Sequence, residues 1–155
     1  MGQSMKYFVG ILAAAFLSAA LTYGQWSAQQ QTDVPAYHAA PPAKGERLPL
    51  ILTQEQLASA GYTAPAQKES YKAAAKVPSV LYQQPCYCHC DRHAAHTSLR
   101  SCFEGTHGAN CGTCMAEALY AYQKTKEGWS PKMIRDGIMR NEFQQVDLQN
   151  PRPVN

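Results

Sequence analysis

"PCYCHCDRHAAH", residues 85–96, sets three cysteines on alternate positions and follows them with two histidines. Whether these sulfurs hold a metal ion or cross-link the chain decides what kind of small domain the sequence can build. Pro85 disfavours helix at this point, so "CYCHC" reads as an extended segment or a loop. In an extended segment the side chains at i, i+2 and i+4 point the same way, which places Cys86, Cys88 and Cys90 on one face and Tyr87 and His89 on the other. Alternate-residue thiols of this kind resist pairing with each other, although each can pair elsewhere.

The window extends downstream through Cys102 and His107 to "CGTC", Cys111 and Cys114, so that all six cysteines and four of the five histidines fall in one short stretch. A CxxC that opens a helix puts sulfur near the positive end of the helix dipole, which lowers the thiol pKa and favours metal or redox chemistry. Thiolates prefer Cu(I) or Zn(II) to hard cations. Six cysteines with two of His93, His96 and His107 furnish two four-coordinate sites, each with three sulfurs and one nitrogen. The same six cysteines also make three disulfides in any of about fifteen connectivities.

Other chemistries fit less well. Haem attachment wants CxxCH, and Met115 follows Cys114. A thioredoxin-like redox domain lacks its strand and helix flanks around Cys111. An iron–sulfur cluster would have to be acquired after export. No substrate pocket or oxyanion device accompanies the cysteines, so the chain reads as a binding protein rather than an enzyme. Its net charge of +3 comes from scattered Lys and Arg, which argues against a nucleic-acid groove or a polybasic membrane patch.

With 155 residues there is room for one modest domain and accessory segments. Residues 1–24 read as a signal peptide: Lys6 gives the positive start, "YFVGILAAAFLSAAL" the apolar stretch, and Thr22 and Gly24 the small residues before cleavage. The alternative is an uncleaved anchor, although the run is shorter than the roughly 20 residues that span a bilayer. No cysteine lies near the cleavage positions, which argues against a lipid anchor. The expected location is periplasmic or otherwise extracytoplasmic, and outside the cytoplasm thiols tend toward disulfides.

Residues 25–47, rich in Gln, Ala and Pro, read as a flexible linker with His38 as a solvated bystander. "LPLIL" then anchors a domain over 48–143. Thr53 and Gln56 form a capping box for a short helix that Gly61 stops. "YKAAAKVPSVLY", residues 71–82, has helical spacing interrupted by Pro78, predicting two pieces or a kink. Residues 114–128 predict a helix ending at Gly128. Residues 130–143 predict another, with Ser130 as cap and Pro131 at its first position. These two are expected to form an antiparallel pair, with Met115, Met133 and Met139 as core filler. Residues 144–155 read as a frayed tail. The fold class is therefore mainly α: a small Cys/His-rich domain of short helices and loops, stapled by metal, disulfides or both.

Three motifs, "PCYCHC", "HTSLRSCF" at residues 96–103 and "HGANCGTCMAEA" at 107–118, occur in order. With them, the region from Leu48 to Phe143 resembles a bacterial family named for its PCYCGC motif. The resemblance implies export, often with a lipid anchor, and brings no activity with it. Two departures stand out: His89 occupies the glycine position of the name motif, and the lipid-anchor cysteine is missing. Glycine adopts backbone angles that histidine resists, so the loop here must accommodate a side chain, either as an added ligand or in solvent.

The residues thus point to an exported protein for soft metals, Cu(I) first and zinc next, with Cys86, Cys88, Cys90, His93, His96, Cys102, His107, Cys111 and Cys114 as ligands. Asp91 would accept an imidazole N–H. Trafficking, sensing or storage would be its role, with the metal ion and another envelope metal-handling protein as partners, and the membrane only if the N-terminal segment is retained. The alternative is an envelope interaction module in which disulfides, each worth about 2–4 kcal/mol, compensate for a small core. A minor alternative is a thiol redox protein. The interleaving of histidines with cysteines, which cross-linking does not require, favours metal.

Overall fold

Helix boundaries follow the capping chemistry of the chain. The computed structural model describes residues 33–155. The expected signal and the first part of the expected linker, up to residue 32, lie outside the described residues. Helix α1 (Gln54–Ser59) starts at Thr53, whose hydroxyl accepts the Gln56 N–H at 3.3 Å while the Gln56 side chain accepts the Thr53 N–H at 2.9 Å. Helix α2 (Pro65–Lys76) begins six residues before Tyr71, with Pro65 at its first position and Gln67 reaching back to the Ala64 N–H at 3.0 Å. Pro78 has no N–H to continue the ladder and pushes the residue before it out of helical geometry. Val77 accordingly sits at φ −129°, ψ 46°, and α3 (Pro78–Tyr82) is a separate piece.

Helix α4 (Gly112–Lys126) is followed by Gly128 at φ +85°, and α5 (Pro131–Met139) is capped by Ser130, whose hydroxyl accepts the Met133 N–H at 3.3 Å. Four 3₁₀ turns, Cys90–Arg92, Leu99–Phe103, His107–Asn110 and Glu142–Gln145, complete the regular structure among the described residues, which contain no strand. No helix among them is long and apolar enough to cross a membrane. The mainly helical class with a cysteine cluster is thus what the chain builds.

Helix α2 lies against α4, and the 3₁₀ turns at 99–103 and 107–110 pack onto both. The core between them holds Tyr71, Ala74, Leu81, Leu99, Phe103, Ala118, Ile134 and Ile138. Cys86, Cys90, Cys102 and Cys114 belong to the same buried cluster. Helices α4 and α5 meet where the Tyr120 hydroxyl lies over Gly137, in the space a Cβ would fill, and donates to the Glu142 carboxylate at 2.5 Å.

Three expectations from the sequence change. Residues 35–47 are not a free tether. The His38 ring stacks on Tyr82 at 3.8 Å, the Tyr82 hydroxyl donates to Glu46 at 2.9 Å, and Arg135 lies over the Tyr37 ring at 4.6 Å. Aromatic rings in a Pro-rich stretch supply contacts that composition alone conceals. The segment after Phe143 is not frayed either. The Val154 N–H donates to Glu69 at 2.7 Å, the Tyr122 hydroxyl donates to the Asn155 carbonyl at 2.7 Å, and Val154 is buried with Ala73, Leu119 and Tyr122. Finally, Met133 and Met139 are exposed rather than core filler, because the buried face of α5 is taken by Ile134, Gly137 and Ile138.

Tyr71 ties the loops to the core. Its ring meets Phe103 edge-on at 4.9 Å, and its hydroxyl donates to the Gly105 carbonyl at 2.6 Å and accepts the Ala109 N–H at 3.2 Å. Burial pushes its phenol up to about 12. Tyr71→Phe keeps the ring but strips both bonds from the turn that carries His107. A loss of about 1–3 kcal/mol in urea-unfolding free energy is expected, the cost of orphaning a buried donor; an unchanged midpoint would show that the hydroxyl anchors nothing.

Candidate metal centre

The cysteine segment enters the core through two buried residues. Gln84 is fully buried; its side-chain amide donates to the carbonyls of Val80 at 2.9 Å and Pro131 at 3.2 Å, and its backbone carbonyl accepts the Leu99 N–H at 2.9 Å. Fully buried Pro85 follows. With α3, α5 and the 99–103 turn all holding Gln84, the start of "CYCHC" is fixed relative to Cys102.

From Cys86 the chain turns rather than extends. The His89 N–H donates to the Cys86 carbonyl at 3.0 Å, the Tyr87 N–H donates to the Glu117 carboxyl at 2.9 Å, and His89 adopts φ 55°, ψ 35°. This corrects the one-face picture of the segment, and with it the expectation that alternate-residue thiols resist pairing. Cys88 and Cys90 are joined by a disulfide, because the left-handed residue between them draws their Cα atoms to 5.6 Å. Two extended residues would span about 6.6 Å.

The other four cysteines, Cys86, Cys102, Cys111 and Cys114, are free and gather around this pair. Cys86 Sγ lies 3.2 Å from Cys88 and 3.4 Å from Cys114, and Cys114 lies 3.6 Å from Cys88. On the other side Cys90 Sγ is 3.0 Å from His107 Nε2 and 3.8 Å from Cys102, and His96 Nδ1 is 3.3 Å from Cys102. The His96 and His107 rings meet edge-on at 4.9 Å. Gly108 permits this approach: a Cβ there would stand 2.9 Å from the Cys102 carbonyl and 3.0 Å from the Phe103 ring.

Cys86, Cys90, Cys102 and Cys114 are buried, whereas Cys88, His96, His107 and Cys111 are partly open. The centre therefore has a closed floor and one accessible side. Its donor atoms form three groups within which every pair lies inside 4.8 Å: Cys86, Cys88, Cys90, Cys102 and Cys114; Cys88, His107, Cys111 and Cys114; Cys90, His96, Cys102 and His107. Such Cys/His groups can hold a metal ion.

Protonation is arranged accordingly. Cys111 is the N-cap of α4, and its sulfur accepts the Cys114 N–H at 3.5 Å. The neighbouring Cys114 side chain, then backbone N–H groups, lower its pKa to about 6. The thiols of Cys102 and Cys114 hold Cys86 well below the usual range. Cys114 is correspondingly raised by its bonds to Cys102, Cys111 and Cys86, so one sulfur ionises at its neighbours' expense. Burial, then the adjacent His107, lowers the His96 pKa, which favours the neutral ring, the form in which imidazole ligates.

Eight of the nine cysteines and histidines singled out in the sequence meet here. His93 does not: it is exposed and outside all three groups, because the turn after Cys90 directs it to solvent. Asp91 does not serve an imidazole; its carboxylate accepts the Ala36 N–H at 3.1 Å. His89 lies edge-on to Tyr87 at 6.0 Å and belongs to no donor group.

Glu117 was not anticipated. It is fully buried, and burial followed by the nearby Cys86 thiolate raises its pKa well above the carboxylate range. Its signal in the sequence is a lone acid three residues after Cys114 on an apolar helix face.

The chain belongs to the family described as a protein of unknown function with a PCYCGC motif, which matches residues 46–151. No curated protein and no solved structure matches it. The left-handed angles at His89 supply a physical reason for glycine at that place in the motif, since a Cβ in this region costs about 1–2 kcal/mol.

Two outcomes follow. In the disulfide-intact protein, His89→Gly should raise the unfolding free energy by about 0.5–1 kcal/mol, the strain relieved less the entropy glycine adds; a fall would mean that the histidine side chain holds the turn. Alkylation of Cys111 by iodoacetamide, followed by mass spectrometry from pH 4 to 10, should show a midpoint of about 6. The thiolate is lost as pH falls through that value, and a midpoint at the ordinary thiol value of 9.0 would exclude the stabilisation by Cys114 and the backbone N–H groups.

Proposed function

We propose that this chain is an exported binding protein for a soft transition metal, with Cu(I) preferred and Zn(II) next, acting in metal trafficking, sensing or storage rather than catalysis. The observation that carries this reading is the convergence of six sulfurs and two imidazoles, drawn from three separate stretches, onto one partly open centre. Sulfur outnumbers nitrogen, which favours soft ions. The ligands are Cys86, Cys88, Cys90, His96, Cys102, His107, Cys111 and Cys114. The open side, at Cys88, His96, His107 and Cys111, is where an envelope metal-handling partner would exchange the ion.

The Cys88–Cys90 disulfide favours a second reading, an envelope module stapled by cross-links. That reading leaves four free cysteines and two histidines gathered at one point without a purpose. Under the metal reading, a dithiol reductant gives two electrons and two protons to the disulfide, its own thiols becoming a disulfide, and the chain gains two thiol donors. Disulfide and loaded centre are then alternative states of the same sulfurs.

The test is metal retention. The purified chain, fully reduced and loaded anaerobically with Cu(I) or Zn(II), should keep stoichiometric metal through gel filtration, and a chelator that strips it should lower the melting temperature. Cys88→Ser and Cys111→Ser should each lower the retained metal. Unchanged content in both variants, or none retained by the reduced wild type, overturns the reading.

A further inference from the structure

We propose that the centre holds two adjacent ions in unlike donor sets, one all-sulfur and one mixed sulfur–nitrogen. This rests on the metal-binding reading above. A four-coordinate ion takes four donors, so one ion leaves half of the eight converging residues unused, fully buried thiols among them.

The eight donors can be divided into two sets of four, one of sulfur alone and one that takes both imidazoles. Cys86, Cys88 and Cys114 form a triangle with edges of 3.2, 3.4 and 3.6 Å, and Cys111 lies within 4.8 Å of both Cys88 and Cys114. Cys90, His96, Cys102 and His107 form the other set, with contacts of 3.0, 3.3 and 3.8 Å. Donors on a tetrahedral zinc stand about 3.8 Å apart, given Zn–S bonds of about 2.3 Å, so the mixed set, all within 4.8 Å, closes with small adjustments, and the all-sulfur set closes once Cys111 approaches Cys86. The sets partition the ligands as four sulfurs against two sulfurs and two nitrogens; His107 also lies within 4.8 Å of Cys88, Cys111 and Cys114, so a three-sulfur, one-nitrogen set is the competing arrangement.

The two positions adjoin. Five sulfurs, Cys86, Cys88 and Cys114 from one set and Cys90 and Cys102 from the other, all lie within 4.8 Å of one another, with no side chain separating the sets. A thiolate retains lone pairs after binding one ion, so these sulfurs can bridge. The sets differ in softness: the all-sulfur position prefers Cu(I), and the imidazole-bearing one suits zinc as well. The disulfide takes Cys88 from one set and Cys90 from the other, so both sets are complete only in the reduced chain.

The experiment is native mass spectrometry of the full chain, reduced and titrated anaerobically with Zn(II), with Co(II) as an optical probe of sulfur ligation. Wild type should take two ions. His96→Ala/His107→Ala should keep one ion, with a sulfur-rich Co(II) spectrum. Cys86→Ser/Cys111→Ser should keep one, with a spectrum of weaker sulfur-to-cobalt absorption, and circular dichroism checks that both variants are helical. A single ion in wild type overturns the two-ion proposal and leaves metal binding standing; no ion overturns both. The wild-type count decides even if a variant fails to fold.

Discussion

Three stretches of chain are brought to one point by the burial of Gln84, Pro85 and Cys102, and the rest of the domain is arranged around that convergence. Gln84 is held by hydrogen bonds to α3, α5 and the 99–103 turn, so the cysteine segment cannot shift without breaking contacts in each. Tyr71 fixes the 107–110 turn from below, and the absence of a side chain at Gly108 lets that turn close on Cys102. The CxxC cysteines arrive on the first turn of α4. The sulfurs are therefore part of the hydrophobic core itself, where an ionised thiol needs either protonated neighbours or a cation.

This position explains the electrostatics. The neighbouring Cys102 and Cys114 thiols hold Cys86 well below the usual thiol range, and Cys114 is raised in consequence. Glu117, buried beside them, is driven toward its neutral form while it anchors the Tyr87 N–H. A cation entering the centre would replace the thiol protons and release the neighbours from sharing one charge. The disulfide removes two of the six sulfurs from this balance and leaves the others thiol-rich.

Local chemistry made much of this legible in the sequence. The capping box at Thr53, the break at Pro78, Ser130 before Pro131 and Cys111 at the mouth of α4 each depend on a few neighbouring residues, and each stands where those residues dictate. The set of converging residues was legible too, because ten cysteines and histidines crowd one window. Their arrangement was not, since it depends on a single left-handed residue at His89 that turns an extended reading into a tight loop and sends His93 outward. The docked end at Val154 and Asn155 and the ring contacts of residues 37 and 38 were hidden for a related reason: isolated apolar groups have no period to read.

The most direct measurement is metal content together with a free-thiol count under denaturing conditions, on protein produced with its own N-terminal segment and purified without chelator. Stoichiometric copper or zinc accompanied by titratable thiols at Cys86, Cys88, Cys90, Cys102, Cys111 and Cys114 is the predicted result. No metal and no free thiols would contradict the account and make these sulfurs a disulfide framework.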